Sequence, residues 1–140
     1  MTQSVTRRRP RFAPATVDYF SNGYCHELAL ELNRRTGWEL WACVERSADF
    51  SSCGVHALVR LPDGRFLDVF GSQAASEVHK RWPRCVLRRV SRRYCADWEG
   101  LWGPTNRRLV TRTANSLLTT VSAGPWQTAP EAGDTATLFT

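Results

Sequence analysis

The sequence predicts an α+β fold in which a cysteine-bearing helix packs on a small antiparallel sheet. Two observations predict it: an apolar stripe at helical spacing runs from Cys25 to Gly37, and two alternating segments flank a Pro-Asp-Gly turn at residues 62–64. The 140 residues fit one hydrophobic core. We expect three parts, namely a flexible basic arm at residues 1–17, a domain at residues 18–121 and a loosely ordered tail at residues 122–140.

Composition limits the class of protein. The 19 Lys and Arg residues exceed the 13 Asp and Glu residues, which gives a formal charge of +6. No segment approaches the roughly 20 apolar residues that span a bilayer. The Arg-rich start is interrupted by Pro10 and Pro14 and has no apolar signal core, so we expect a cytoplasmic protein without membrane contact. Five cysteines, an odd number, argue against a secreted disulfide framework and for reduced thiols.

The first predicted element is a helix that begins near Cys25. Leu28, Ala29 and Leu32 fall on the same face as Cys25, and Gly37 supplies a C-terminal stop. Acidic residues lie early in this segment and Arg residues lie late, which suits the helix dipole. The thiol of Cys25 is therefore expected in the first turn, where N–H groups have no partner within the helix.

A strand at residues 38–44, a polar loop at residues 45–54 and a hairpin follow. If the turn has three residues and Gly64 is left-handed, His56 lies diagonal to Asp68 on the same face of the hairpin. A two-residue turn would move Asp68 to the opposite face, because one residue of slip reverses every side chain. Later segments predict a helix at residues 72–82, a strand at residues 84–91, a helix at residues 92–101 and, from a weak pattern, a final strand after Asn106.

Three residues of this fold form a candidate chemical unit. A thiol is a weak nucleophile until it ionises, and the start of a helix favours the thiolate. An imidazole that takes the thiol proton needs an acceptor on its other nitrogen to fix its tautomer. Cys25 is therefore the candidate nucleophile, His56 the candidate base and Asp68 the residue that orients the base.

Acyl chemistry also needs hydrogen-bond donors for the oxyanion of a tetrahedral intermediate. The backbone N–H of Cys25 is one candidate, and the side chain of Asn22 or Tyr19 is another. The candidate residues of a substrate cleft are Gly23, Tyr24 and Gly54.

The segments around Cys25, His56 and Asp68 resemble the papain-like, or transglutaminase-like, superfamily of cysteine hydrolases in its compact bacterial and phage forms. The resemblance covers roughly residues 19–71: a Cys that opens an Ala/Leu helix after Asn22-Gly23-Tyr24, then Gly54-Val55-His56-Ala57-Leu58-Val59, then Asp63-Gly64-Arg65-Phe66-Leu67-Asp68-Val69-Phe70-Gly71. It implies an antiparallel sheet packed on the Cys helix, a Cys-His-Asp triad without a cofactor, and cleavage or transfer at amide, thioester or isopeptide bonds. The papain signature itself is absent, since Tyr19 stands in place of its Gln and His26 in place of its Trp.

Simpler roles compete with this interpretation. Cys25 is also suited to an ordinary core position, and Asp68 could pair with Arg60 on its own face of the hairpin. Cys53 is a second candidate nucleophile, but it lies in a predicted loop that offers no helix dipole. A zinc site built from Cys43, Cys53, His56 and another cysteine lacks a closely spaced cysteine pair, so we expect no metal.

The two remaining histidines, His26 and His79, are expected to be exposed or incidental to the chemistry.

Three classes of function follow from these patterns. The first is a thiol hydrolase or acyltransferase, acting as a protease, isopeptidase, deamidase or amidase on a protein or peptide substrate. The second is a non-catalytic binding or inhibitor protein of phage or mobile-element type, which docks on an acidic protein surface through Arg88, Arg89, Arg92 and Arg93. The third is a single-strand binder that stacks bases on Trp82, Trp98 and Trp102, but no RNA-binding signature supports it, so nucleic acid is not an expected partner.

Overall fold

The computed structural model describes residues 12–45, 54–98 and 103–121, and within them the chain has an α+β fold. The helices are α1 (Pro14–Ser21), α2 (Cys25–Thr36), α3 (Ala75–Arg81), α4 (Arg92–Ala96) and α5 (Arg107–Val121). The strands are β1 (Glu39–Glu45), β2 (Gly54–Arg60), β3 (Phe66–Asp68), β4 (Gly71–Gln73) and β5 (Cys85–Arg89). They form one antiparallel sheet in the order β4-β3-β2-β1-β5.

The β2–β3 hairpin has the register predicted from a three-residue turn. Val59 pairs with Leu67, and the N–H of Leu61 donates to the carbonyl of Arg65 at 2.7 Å. Gly64 adopts φ 94°, a left-handed conformation that most side chains disfavour. This register places His56 and Asp68 on the same face of the sheet.

The two faces of the sheet carry separate hydrophobic cores. The larger core lies under α1, α2, α4 and α5 and includes Ala57, Val59 and Leu67 from the sheet. The smaller core lies under α3 and includes Leu58 and Phe66. The alternation of β2 thus assigns odd-numbered residues to the helical side and even-numbered residues to the α3 side.

Helix α2 spans the larger core and ends where the sequence predicts, with Gly37 at φ 79° after Thr36. Two of its carboxylates, Glu27 and Glu31, are buried. Arg107 at the start of α5 bonds both of them, at 2.9 Å and 3.3 Å. Helices α2 and α5 are thereby held together by charge as well as by apolar packing.

The structure corrects several sequence-based expectations about secondary structure. The chain after Asn106 is helix α5 and not a strand, since Val110, Ala114 and Leu117 bury one helical face and the Asn106 side chain accepts the N–H of Leu109 at 3.0 Å. Helix α1 begins at Pro14, so the predicted arm ends earlier than residue 17.

Strand β4 occupies the start of the predicted helix at residues 72–82. The predicted flexible arm at residues 1–11, most of the loop at residues 45–54, the end of the predicted helix at residues 92–101 and the tail at residues 122–140 lie outside the described residues. None of the helices in the described ranges combines the length and the hydropathy that a bilayer crossing requires.

Candidate active site

Cys25 is the first residue of α2 and lies at the point where β2 and β3 separate. Gly23 allows the sharp turn before the helix, with φ 131°, and Tyr24 precedes the first helical residue. The N–H of Ala57 points away from β1 and donates to Cys25 Sγ at 3.3 Å. Strand β3 pairs with Val59 and Arg60 of β2 and does not reach Ala57. The sulfur of Cys25 therefore accepts a backbone N–H that would otherwise lack an acceptor.

His56 and Asp68 meet across the same gap, as the hairpin register predicts. His56 Nε2 lies 2.7 Å from Asp68 Oδ2, and both side chains are buried. The other carboxylate oxygen of Asp68 accepts the N–H of Phe70 at 2.8 Å and the amide of Gln73 at 2.7 Å. The competing pairing of Asp68 with Arg60 is not formed, since Arg60 lies 3.7 Å from Glu39 instead.

The network extends beyond Asp68. Gln73 is fully buried and accepts a hydrogen bond from the guanidinium of Arg81, which also lies 3.8 Å over the ring of Phe70. Trp82, the next residue, stacks on the imidazole of His56 with ring centroids 4.0 Å apart and an interplanar angle of 15°. Asp68 and the imidazole are therefore held from two sides.

His56 Nδ1 is buried and makes no hydrogen bond of standard geometry to a described residue. Catalytic hydrogen bonds are often long or poorly aligned before substrate binds. Burial disfavours the charged ring, but hydrogen bonds with Asp68 and with Cys25 outweigh burial and raise the pKa of His56 to about 9. The imidazole can therefore carry a proton on Nδ1, the nitrogen that does not contact Asp68.

The pKa of the Cys25 thiol shifts in the opposite direction, below its ordinary value. Its burial disfavours the thiolate, yet hydrogen bonds with His26 and His56, the positive charge of His56 and the N–H of Ala57 lower the pKa of Cys25 to about 6. Between about pH 6 and pH 9 the two groups therefore exist as a thiolate and an imidazolium.

Other thiols show what burial does without such partners. Burial raises the pKa of Cys95 in α4 to about 12, and it raises the pKa of Cys43 and of Cys85. All four cysteines in the described ranges are free thiols. Cys53, the alternative nucleophile, lies outside those ranges.

His26 lies at the candidate site, which corrects a sequence-based expectation. The sequence predicts an exposed or incidental residue, whereas His26 is 1% exposed and lies between the rings of Tyr24 and Trp98. His79, by contrast, is exposed as expected. A histidine directly after a candidate nucleophile at a helix start was the one available signal, and its burial depends on Trp98, which is distant in the sequence.

The candidate oxyanion donors that precede Cys25 have other partners. The side-chain nitrogen of Asn22 donates to Asp18, at 2.7 Å to the carboxylate and 3.2 Å to the carbonyl. The hydroxyl of Tyr19 accepts the N–H of Asn106 at 2.8 Å. Asn22 could donate to an oxyanion only by giving up its contacts with Asp18. Tyr19 could do so through its hydroxyl hydrogen, because its oxygen is only an acceptor in the contact with Asn106.

Aromatic side chains surround the candidate cleft residues. Tyr24 stacks on Tyr19, with ring centroids 4.2 Å apart and planes 2° from parallel. Gly54 lies under the ring of Trp98, where a Cβ atom would approach Trp98 Cζ2 to 2.0 Å. With Cys25 3% exposed and His56 fully buried, this conformation of the site is closed.

The four arginines assigned to an acidic partner lie together on the surface. Arg88 and Arg89 end the edge strand β5, and Arg92 and Arg93 open α4. All four are exposed, although Arg89 lies 3.5 Å from Glu39 and Arg92 donates to Asn33.

Among residues 12–45, 54–98 and 103–121, no three His, Cys, Asp or Glu side chains are grouped so as to hold a metal ion. Comparison of the chain with protein-family models, with curated proteins and with solved structures found no match.

Proposed function

We propose that the chain is a cysteine-dependent hydrolase or acyltransferase that uses Cys25, His56 and Asp68 as a triad. The observation that carries the proposal is a helix-start thiol of lowered pKa beside an imidazole whose Nε2 is held by a carboxylate. Ordinary burial raises a thiol pKa, as Cys95 demonstrates. The arrangement at Cys25 therefore favours reactivity over packing.

The reaction starts with the thiolate of Cys25. Its sulfur forms a bond to the carbonyl carbon of the substrate, and the electron pair of the C=O bond moves to oxygen. When the pair returns, the bond to the leaving group breaks and His56 Nδ1 gives that group its proton. Water then attacks the thioester with His56 as base, or an amine does so in acyl transfer, and the thiol is released.

The substrate class follows from this chemistry. Reactions at amide, thioester and isopeptide bonds all proceed through a thioester between Cys25 and the acyl group of the substrate. The proposal therefore covers protease, isopeptidase, deamidase and amidase activities on a protein or peptide. The papain-like assignment is part of it. The order of a helix-borne Cys, a strand-borne His and a following Asp on an antiparallel sheet supports that assignment.

A small activated acyl donor tests the proposal, because the closed site would exclude a bulky one. The full chain is mixed with p-nitrophenyl acetate, nitrophenolate release is followed, and the acetylated cysteine is located by mass spectrometry of its peptides. We expect acetylation of Cys25 and a loss of about 100-fold in its rate in His56→Ala. Cys85→Ala, a matched thiol variant, should behave as wild type. Equal acetylation of Cys25 and Cys85, or unchanged release by Cys25→Ala, would remove the triad.

The exposed arginines favour a second candidate function, that of a non-catalytic protein that binds an acidic surface. Arg88, Arg92 and Arg93 are exposed and form none of the ion pairs between described residues, although Arg92 donates to Asn33, and a cluster of like charge attracts acidic partners. A biological effect that survives Cys25→Ala but is lost in the double variant Arg88→Glu with Arg89→Glu would establish this function in place of the enzyme.

A further inference from the structure

The thiol of Cys25 is flanked by a second imidazole whose surroundings repeat those of the first. His26 Nε2 lies 3.3 Å from Glu27 Oε2, as His56 Nε2 lies 2.7 Å from Asp68. In both rings Nδ1 is buried and makes no hydrogen bond of standard geometry to a described residue. Each ring therefore has one nitrogen on a carboxylate and one left for another group.

The carboxylate that faces His26 is itself fixed. Glu27 is 4% exposed, and its other oxygen accepts a hydrogen bond from Arg107 at 2.9 Å. The Arg107 contact thus holds the Glu27 carboxylate in place beside His26 Nε2, and this carboxylate restrains the orientation of the ring.

A buried nitrogen without a hydrogen bond destabilises the fold relative to a paired one, so two of them beside one sulfur require an explanation. A packing role would be met by any apolar ring between Tyr24 and Trp98. The hydrogen bond with His26 is the largest of the influences that lower the pKa of Cys25, which indicates that the ring acts on the sulfur.

We propose that His26 is a second catalytic imidazole, whose Nδ1–H donates a hydrogen bond to the sulfur of Cys25 and, after attack, to the negative oxygen of the intermediate. This inference rests on the proposed thiol chemistry. No proton leaves His26 in the cycle, since the leaving group takes its proton from His56.

This role completes the oxyanion site without Asn22 or Tyr19, whose polar groups have partners elsewhere. The backbone N–H of Cys25 supplies one donor at the helix start, and His26 Nδ1 supplies the other. Two converging donors are what a tetrahedral intermediate requires.

Two variants separate the nitrogens of His26. In His26→Asn the amide nitrogen replaces Nδ1, whereas in His26→Gln it replaces Nε2. Rates of acetylation by p-nitrophenyl acetate, which passes through an oxyanion, are compared with rates of alkylation by iodoacetamide, which does not. His79→Gln serves as the matched control, because His79 is exposed.

We expect the ratio of acetylation to alkylation at Cys25 to fall about 100-fold in His26→Gln and to stay within about tenfold of wild type in His26→Asn. A role in packing alone would change both rates together and leave the ratio constant. Equal ratios in the two variants, or wild-type ratios in both, would overturn the inference. If His26→Gln does not fold, His26→Leu replaces it, with the same expected fall and the same refutation. Absence of acetylation at Cys25 in wild type would instead refute the proposed function itself.

Discussion

The most direct perturbation of the site is Asp68→Asn, which changes one oxygen to nitrogen with little change of volume. The asparagine oxygen can still accept the N–H of Phe70 and the amide of Gln73, so the local fold is kept. Its nitrogen, however, would face His56 Nε2 and donate to it. That forces the neutral ring to carry its hydrogen on Nδ1, where it cannot accept the thiol proton.

The structure sets the size of the effect. With a pKa of about 6, Cys25 is about nine-tenths thiolate at pH 7, whereas a thiol at the ordinary value of 9.0 is about one-hundredth thiolate. Complete loss of the lowering would therefore reduce reactivity about 90-fold. Because His26 and the N–H of Ala57 remain in place, we expect Asp68→Asn to reduce it by about tenfold or more, within that limit.

The assay is the rate of Cys25 alkylation by iodoacetamide at about pH 7, read from the modified peptide. Asp63→Asn is the matched control, since Asp63 lies on the same hairpin, is exposed, and its oxygen accepts the N–H of Arg65 as an asparagine oxygen would. An unchanged rate in Asp68→Asn, or an equal fall in Asp63→Asn, would refute the reasoning.

Three further outcomes follow from contacts outside the thiol. Arg107→Ala should lower the free energy of urea unfolding by about 1 kcal/mol, because the buried Glu27 loses an arginine partner and Glu31 loses one of three, whereas Arg108→Ala, equally exposed but outside these ion pairs, should lower it by less than about 0.5 kcal/mol. Gly54→Ala should reduce the melting temperature and the anisotropy of tryptophan fluorescence, since the new Cβ would displace the ring of Trp98. An unchanged melting curve would contradict the close approach. Because folding raises the pKa of His56, the protonated ring contributes stability that is fully present below about pH 6.5 and is lost as pH rises through about 9. The difference in the free energy of urea unfolding between wild type and His56→Gln should therefore shrink across that range.

Local sequence was enough to predict the parts of the site that depend on neighbouring residues. The position of Cys25 follows from an apolar stripe and a terminal glycine, and the meeting of His56 with Asp68 follows from the three-residue alternative of the two turns that the sequence allows. Both are decided within segments of fewer than about 20 residues, where helix period and turn geometry act directly.

Features that depend on distant packing could not be predicted in this way. His26 is buried because Trp98, more than 70 residues later, lies against it. Helix α5 contains many Thr and Ser residues of modest helix propensity, and its buried face is stabilised by α2, so single-sequence periodicity understated it. Gln73 reaches Asp68 only because β4 pairs with β3.

The thiols of this chain can be compared within one protein, and the comparison isolates the cause of reactivity. Cys95 and Cys25 are both almost fully buried in helices, so burial acts on both in the same direction, yet the pKa of Cys95 rises to about 12 and that of Cys25 falls to about 6. Helix membership therefore cannot explain the difference. What Cys25 has in addition is two imidazoles, each beside a carboxylate, and the N–H of Ala57. Removing one imidazole should leave a partly shifted thiol, and removing both should slow alkylation of Cys25 to near the rate of Cys95, with only the N–H of Ala57 still favouring the thiolate.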